Sequence, residues 1–251
     1  IVQYVQPDIL VCNELGDAPT NADFILLNSL NVSGVNYYVK APYSNNSFSS
    51  LVNAFFYDSR KFELHSQEVI TKDLSNNNLV RVIDLYRLYY KDSLLTNQSD
   101  TVFFTVVAAH LKAGTAAADA SDRADAAAAL MQFIQNYVND ENVLMCGDLN
   151  IYKSQEAAYQ NLTQGSNVGI RFYDPLNQPG NWGNNGSFAQ LHTQSTRNTS
   201  TNNGCFSSGG LDDRLDHILI TDEVRDNLDG MRYVPNTYHA LGNDGLHFNK
   251  A

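Results

Sequence analysis

V-L-M-C-G-D-L-N-I-Y, residues Val143 to Tyr152, begins as a buried strand and then changes character. Val143, Leu144, Met145 and Cys146 form an apolar run of strand length. Gly147 breaks the run, and a carboxylate (Asp148) and an amide (Asn150) follow, two residues apart. On an extended chain that spacing sends both side chains off the same face. A core strand that ends by delivering two oxygen-bearing groups to one spot points to a sheet whose edge carries chemistry.

The segment before it fixes the local topology. The Ala-rich stretch Thr115 to Tyr137 carries Arg123, Ala127, Leu130, Ile134 and Tyr137 at helical intervals, which predicts a helix. Thr101 to His110 reads as a buried strand ahead of it, so strand, helix and strand form one α/β crossover. Further strands are expected at Asp8 to Glu14, after the helix-stopping Pro7, and at Tyr37 to Val39. Two more flank the polar turn Asp58-Ser59-Arg60-Lys61, and another covers Leu79 to Tyr90, which is rich in β-branched and aromatic residues. Asn21 to Asn31 has helical spacing, and Ser154 to Leu162 reads as a short helix. Pro175 to Ser187 is a Gly/Asn/Pro-rich surface loop, followed by an expected strand containing F-A-Q-L-H-T-Q-S-T-R. R-L-D-H-I-L-I-T closes the set, with Leu215, His217 and Leu219 on one face and Asp216 and Ile218 on the other.

Composition limits the classes of function. At 251 residues, with 43% hydrophobic and 17% charged residues, the chain has the make-up of a folded single domain spanning 1–251. No apolar run reaches the roughly 20 residues of a membrane helix. A formal net charge of −11 argues against holding nucleic acid on a broad basic surface, though it does not exclude a nuclease whose local site carries metal ions. The Asn/Ser/Thr-rich, Lys-poor segments suggest a secreted or periplasmic protein. The Asn-x-Ser/Thr triplets, from Asn31-Val32-Ser33 onward, arise readily by chance in so Asn-rich a chain. The three cysteines show no zinc spacing; Cys12 and Cys146 read as small buried hydrophobes, and Cys205 lies in a loop. The opening I-V-Q-Y-V-Q-P-D reads as the last turn of a helix, which suggests a fragment or processed chain whose preceding strand lies outside the sequence.

Several strands end in polar residues that burial does not require: Glu14, His110, Asp148 with Asn150, and Asp216. The C-terminal segment adds Asp244 and His247. Singly, each has an ordinary explanation as a surface carboxylate, a structural histidine or an Asx turn. Together at strand ends they read as one site. Glu14, Asp148 and Asp244 offer hard oxygen ligands for Mg²⁺, Mn²⁺ or Ca²⁺. His110 and His247 suit acid and base work, with Asp216 as the partner expected to orient His247. Metal, base, acid and an amide donor in Asn150 would serve attack of water on a phosphoester. Lys112, His192 and Arg197 are candidate substrate contacts, joined by Gln194 and Arg123. Trp182 reads as a base-stacking group or a hydrophobic plug, the plug being the commoner use of a lone loop tryptophan.

P-D-I-L-V-C-N-E, A-A-H-L-K-A-G, L-M-C-G-D-L-N and R-L-D-H-I-L-I, in that order along nearly the whole chain, resemble the endonuclease/exonuclease/phosphatase superfamily. The resemblance implies a four-layer α/β/β/α sandwich of two mainly antiparallel sheets, here lacking its first strand, and metal-dependent phosphoester hydrolysis. It implies that Glu14 binds metal and that Asp148 and Asn150 orient the nucleophile and hold the phosphate. His110 would contact the phosphate or leaving group, and Asp216 would partner the last histidine. Two departures stand out: the family's closing S-D-H is replaced by Asn243-Asp244-Gly245-Leu246-His247, and the asparagine of the family's first strand is absent. The expected activity is a monomeric nuclease or phosphodiesterase acting on DNA or RNA without sequence specificity. The alternatives are a phosphatase or lipid phosphodiesterase of the same superfamily, or a catalytically silent binding module.

Overall fold

The computed structural model describes residues 2–45, 49–92, 101–138, 142–165, 170–199 and 208–248; Cys205 lies outside them. Helix α1 (Val2–Val5) leads into β1 (Ile9–Gly16), then α2 (Thr20–Ile25), which continues into a π-helical turn over Leu26–Leu30. Strands β2 (Tyr38–Lys40), β3 (Leu51–Asp58), β4 (Phe62–Lys72), β5 (Asn78–Tyr90) and β6 (Phe103–Ala108) follow. Helix α3 (Ala117–Tyr137) crosses to β7 (Val143–Asp148), and α4 (Ala157–Gln164), a 3₁₀ helix (Gly186–Leu191), β8 (Asp216–Ile220) and α5 (Asp222–Asp226) complete the chain.

The strands form two sheets, ordered β1-β3-β2 and β4-β5-β6-β7-β8. All pairs are antiparallel except β6 and β7, which the α3 crossover makes parallel. The polar turn after β3 therefore does not close a hairpin: β3 and β4 belong to different sheets. Asp58 accepts from the Arg60 main-chain N–H at 2.9 Å and binds its guanidinium at 2.6 Å, fixing the passage from one sheet to the other.

Alternation along β3 and β5 explains the layering. Phe55 and Tyr57 face Tyr86, Leu88, Phe104 and Val106 between the sheets, where the Phe55 and Tyr86 rings stack at 4.2 Å. Ala54 and Phe56 point the other way, against Ala22, Ile25 and Leu26 of the α2 region. Ile83, Leu85, Val107, Met145 and Leu219 leave the far face of the five-stranded sheet to meet Ala127, Leu130 and Ile134 of α3 and Leu162 of α4. Helix, sheet, sheet and helix form four layers, each strand buried by its period-two alternation.

The segment expected as a strand around Phe188 is instead the 3₁₀ helix and an irregular loop. Phe188 and Leu191 pack on the main core, and Thr193 Oγ1 accepts the Asp216 N–H at the start of β8. Trp182 is completely buried and donates to Gln178 O at 2.8 Å, so it is a plug, packed edge-on to Tyr159 and His217. Burial holds the His217 imidazole down to about 3, so it stays neutral in the core. Beside it, Arg214 grips Asp174 in a bidentate pair at 2.7 and 3.0 Å, with side chains 1% and 4% exposed. Burial alone would raise the Asp174 carboxyl, yet the Arg214 guanidinium holds it below the usual range. Arg214→Leu leaves that carboxylate buried and unpaired. It is expected to lower stability by about 3–5 kcal/mol, read as a reduced urea midpoint, while pairing it with Asp174→Leu recovers most of the loss.

Candidate metal centre at the strand ends

Two backbone irregularities build the site. Opposite Asn53 of β3, strand β1 carries two residues, Asn13 and Glu14, where the register slips between Cys12 and Leu15. Glu14 sits at φ 60°. A bulge of this kind re-aims side chains that strict alternation would send to opposite faces. Here it lets neighbouring residues both serve the site: Asn13 Oδ1 accepts the Asp148 N–H at 3.0 Å, and Glu14 Oε1 lies 3.8 Å from His110 Nε2.

The second irregularity is Gly147, at φ 139°. A Cβ there would stand 2.0 Å from Ala109 O and 2.9 Å from Asn13 Oδ1, so a side chain is excluded on both conformation and space. The chain then turns. Asn150, at φ 50°, donates its main-chain N–H to Asp148 Oδ1 at 3.0 Å and its side-chain N–H to Leu111 O at 3.2 Å. Asp148 and Asn150 thus meet through an Asx turn rather than by strand alternation.

Glu14, His110 and Asp148 each offer a ligand atom, and these atoms lie within 4.8 Å of one another. His110 is 2% exposed; its Nε2 is 3.6 Å from Asp148 Oδ2, and neither ring nitrogen makes a hydrogen bond. Burial, reinforced by Asp216 and Glu14, pushes the Asp148 carboxyl up to about 7. Burial and the nearby Arg81 guanidinium hold the His110 imidazole down to about 4. Asp216 pairs in register with Asp148 across β7 and β8, and burial raises its carboxyl too. Excess negative charge beside a buried imidazole without hydrogen bonds is the electrostatic profile of a cation site. Two carboxylates and an imidazole fit a divalent ion such as Mg²⁺ or Mn²⁺, the nitrogen favouring the latter.

The remaining sequence candidates fall elsewhere. Asp244 is not part of the cluster: its Oδ1 is 2.9 Å from His247 Nδ1, on an exposed C-terminal segment. His247 is therefore oriented by Asp244 and not by Asp216, whose own neighbour is Thr193, with its main-chain N–H donated to Thr193 Oγ1 at 2.9 Å. The segment is nevertheless anchored near the site. Asn243 donates to Ala189 O and His192 O, both at 2.8 Å, and lines with Asn13, Gly147 and Asp216 a cavity of about 530 Å³. His192 is fully buried, with its ring nitrogens 3.1 Å from Leu211 O and 3.0 Å from Trp182 O. It braces the loops from the wall of that same cavity.

Lys112 is turned to Asp119 at 2.7 Å, at the start of α3. Arg123 is buried against Glu156 and donates to Lys112 O and Gly114 O, both at 2.8 Å. Arg197 is exposed, its carbonyl accepting from Gly209 N at 2.8 Å, next to Thr196 on the cavity wall. The cation that does stand by the cluster is Arg81, half-buried on β5, whose Nη1 donates to Leu111 O at 2.8 Å. Sequence reasoning missed Arg81 and Asn13. N-E in P-D-I-L-V-C-N-E sets Asn13 beside a singled-out glutamate, but strict alternation would send two neighbours to opposite faces, so the sequence offered no sign that both serve one site.

No protein-family model and no curated protein matches the chain by sequence. Solved structures do match in fold. The human nocturnin catalytic domain with bound sulfate superposes with a TM-score of 0.57 at 16% identity, covering 89% of this chain and 72% of that one. An endonuclease/exonuclease/phosphatase family protein of Bacteroides thetaiotaomicron gives 0.55 at 12% identity, covering 87% and 70%. D. rerio TDP2 complexed with single-strand DNA product gives 0.52 at 13% identity, covering 87% and 72%. The fold is that of the endonuclease/exonuclease/phosphatase proteins.

The raised Asp148 carboxyl sets a pH dependence for the metal-free protein. Its folded pKa is about 7 against an ordinary 3.8, so across that window the unfolded chain holds fewer protons and stability falls as pH rises. Asp148→Asn removes this slope. Its unfolding free energy from urea titration is expected to exceed that of the wild type above about pH 8, by the order of a few kcal/mol at about 1.4 kcal/mol per pKa unit, with a correspondingly higher midpoint, and the two should converge near pH 4. Equal midpoints at both ends would show that Asp148 carries no excess charge.

Proposed function

We propose that the protein is a divalent-metal-dependent phosphoester hydrolase, most specifically a phosphodiesterase that cleaves nucleic acid without reading sequence. The observation that carries this reading is the convergence of Glu14, His110 and Asp148 at the ends of three strands from both sheets. The shared fold supports it. Glu14 and Asp148 would hold the cation, which when bound supplies positive charge to a phosphoryl oxygen and makes water a better nucleophile. Asn150 is held at Asp148 by its Asx turn, where its amide can bind phosphate. His110, neutral at physiological pH, hydrogen-bonds the phosphate or leaving group. His247, oriented by Asp244 in the arrangement of a base and its carboxylate on a segment that Asn243 ties to the cavity wall, would take the proton from water.

A second reading, a phosphatase or lipid phosphodiesterase, is favoured by charge: the chain carries −11, and Lys112, which could have tracked a phosphate backbone, is paired with Asp119. Among the described residues no helix is long and apolar enough to cross a membrane. On composition we further propose a monomer that works outside the cytoplasm.

Hydrolysis of bis-p-nitrophenyl phosphate, plasmid DNA and RNA with Mg²⁺ or Mn²⁺ separates these readings. EDTA-sensitive turnover is expected, reduced roughly a hundred- to a thousandfold in Asp148→Ala. His247→Ala should lose on the order of a hundredfold or more in kcat with Mn²⁺ affinity unchanged. Absence of EDTA-sensitive hydrolysis of every substrate sinks the enzyme reading, and full activity in His247→Ala removes that residue as the base.

A further inference from the structure

Behind the cluster, a chain of polar side chains, buried at Asn53 and Asp84 and half-buried at Asn13 and Ser44, runs through the gap between the sheets. Asn13 Oδ1 accepts from the Asp148 main-chain N–H at 3.0 Å. Asn13 Nδ2 donates to Asn53 Oδ1 at 2.7 Å. Asn53 Nδ2 donates to Asp84 Oδ2 at 2.9 Å and also faces Ala108 O and Val82 O, each at 3.3 Å. The Ser44 hydroxyl closes the chain by donating to Asp84 Oδ1. Asn53 is 6% exposed and Asp84 0%, so no solvent competes for these groups.

We propose that Asn53 and Asp84 are positioning residues for Asp148, acting through the Asn13 side chain. The proposal deepens the function proposed above and rests on that reading of the site. An amide can turn either end toward a partner, and only its surroundings decide which. Three oxygens, one from Asp84 and two from the main chain, surround Asn53 Nδ2, so Asn53 must turn Oδ1 toward Asn13. Asn13 then offers Nδ2 to Asn53 and is left with Oδ1 facing β7. That oxygen is the acceptor that the Asp148 N–H requires, at a point where Gly147 has already bent the strand.

A reversed Asn13 would set two donors against each other and displace Asp148 from Glu14 and His110. The buried carboxylate thus fixes a hydrogen-bond polarity that crosses from the five-stranded sheet to the three-stranded sheet and back to the site. Burial of so many polar groups would cost stability if any were left unpaired. Their arrangement as a directed chain ending at a site residue gives them a use.

The test is amide hydrogen exchange at Asp148, read by NMR in the metal-free protein, together with Mn²⁺ affinity. The variants are Asn13→Ala, Asn53→Ala, their double, and Asp84→Asn, which keeps core volume if Asn53→Ala folds poorly. Each single change is expected to speed Asp148 exchange by up to about tenfold and to weaken Mn²⁺ binding, with Val107 and Met145 amides unchanged. The double variant should match Asn13→Ala alone, since the effect passes through that side chain. Unchanged Asp148 exchange, equal acceleration at every β7 amide, or additive effects in the double variant would overturn the proposal. A wild type that neither binds Mn²⁺ nor hydrolyses a phosphodiester defeats the proposed function instead, while the exchange data still decide the relay.

Discussion

The close approach of Gly147 to the Ala109 carbonyl is the constraint on which the site depends. At φ 139°, with room for no Cβ, this residue lets β7 come against the end of β6 and against Asn13 of the other sheet at once. Two sheets that otherwise meet through aromatic and aliphatic side chains touch here through polar groups. Their separation elsewhere is set by rings such as Phe55 and Tyr86; at this end it closes to a side chain bonded to main chain. Glu14 reaches His110 and Asp148 because that closure exists.

The layers were legible because each strand carries a simple signal. The run Val143 to Cys146 survives into the structure as β7, with Val143 and Met145 in the core, His217 and Leu219 are buried on β8 while Leu215 falls just before it and is only partly buried, and the Ala-rich helix lies where its spacing puts it. The partition into two sheets was not legible. Nothing in Asp58-Ser59-Arg60-Lys61 distinguishes a hairpin turn from a crossing between sheets, since the difference lies in long-range pairing and not in local conformation. The segment around Phe188 failed for a related reason: Phe188 and Leu191 reach the main core from a short 3₁₀ helix, whose period matches neither a strand nor an α-helix face.

At the site, residue types were readable and partnerships were not. Glu14, His110 and Asp148 could be singled out as polar residues at apolar strand ends. Asn13 could not, because the bulge that turns it inward lies in the register of β1 against β3. Arg81 looked like one charge among several on a β-branched strand. Lys112, Arg123 and His192 carry suitable chemistry, yet the folded chain spends it on a helix start, a buried ion pair and a brace between carbonyls. Asp244 and His247, three apart in a turn, pair with each other and not with a strand end.

The Arg123 and Glu156 pair has a wider consequence. Arg123 holds the carbonyls of Lys112 and Gly114 in the loop after β6, and Glu156 accepts the Tyr152 N–H in the loop after β7. The two connections that carry His110, Asp148 and Asn150 are therefore clamped to one helix and shift only as a unit. The described loops between α4 and β8 lie outside that clamp. They can differ in length and composition while the side chains at the ends of β6 and β7 keep their places, so that what the cavity admits can change without rebuilding the cluster beside it.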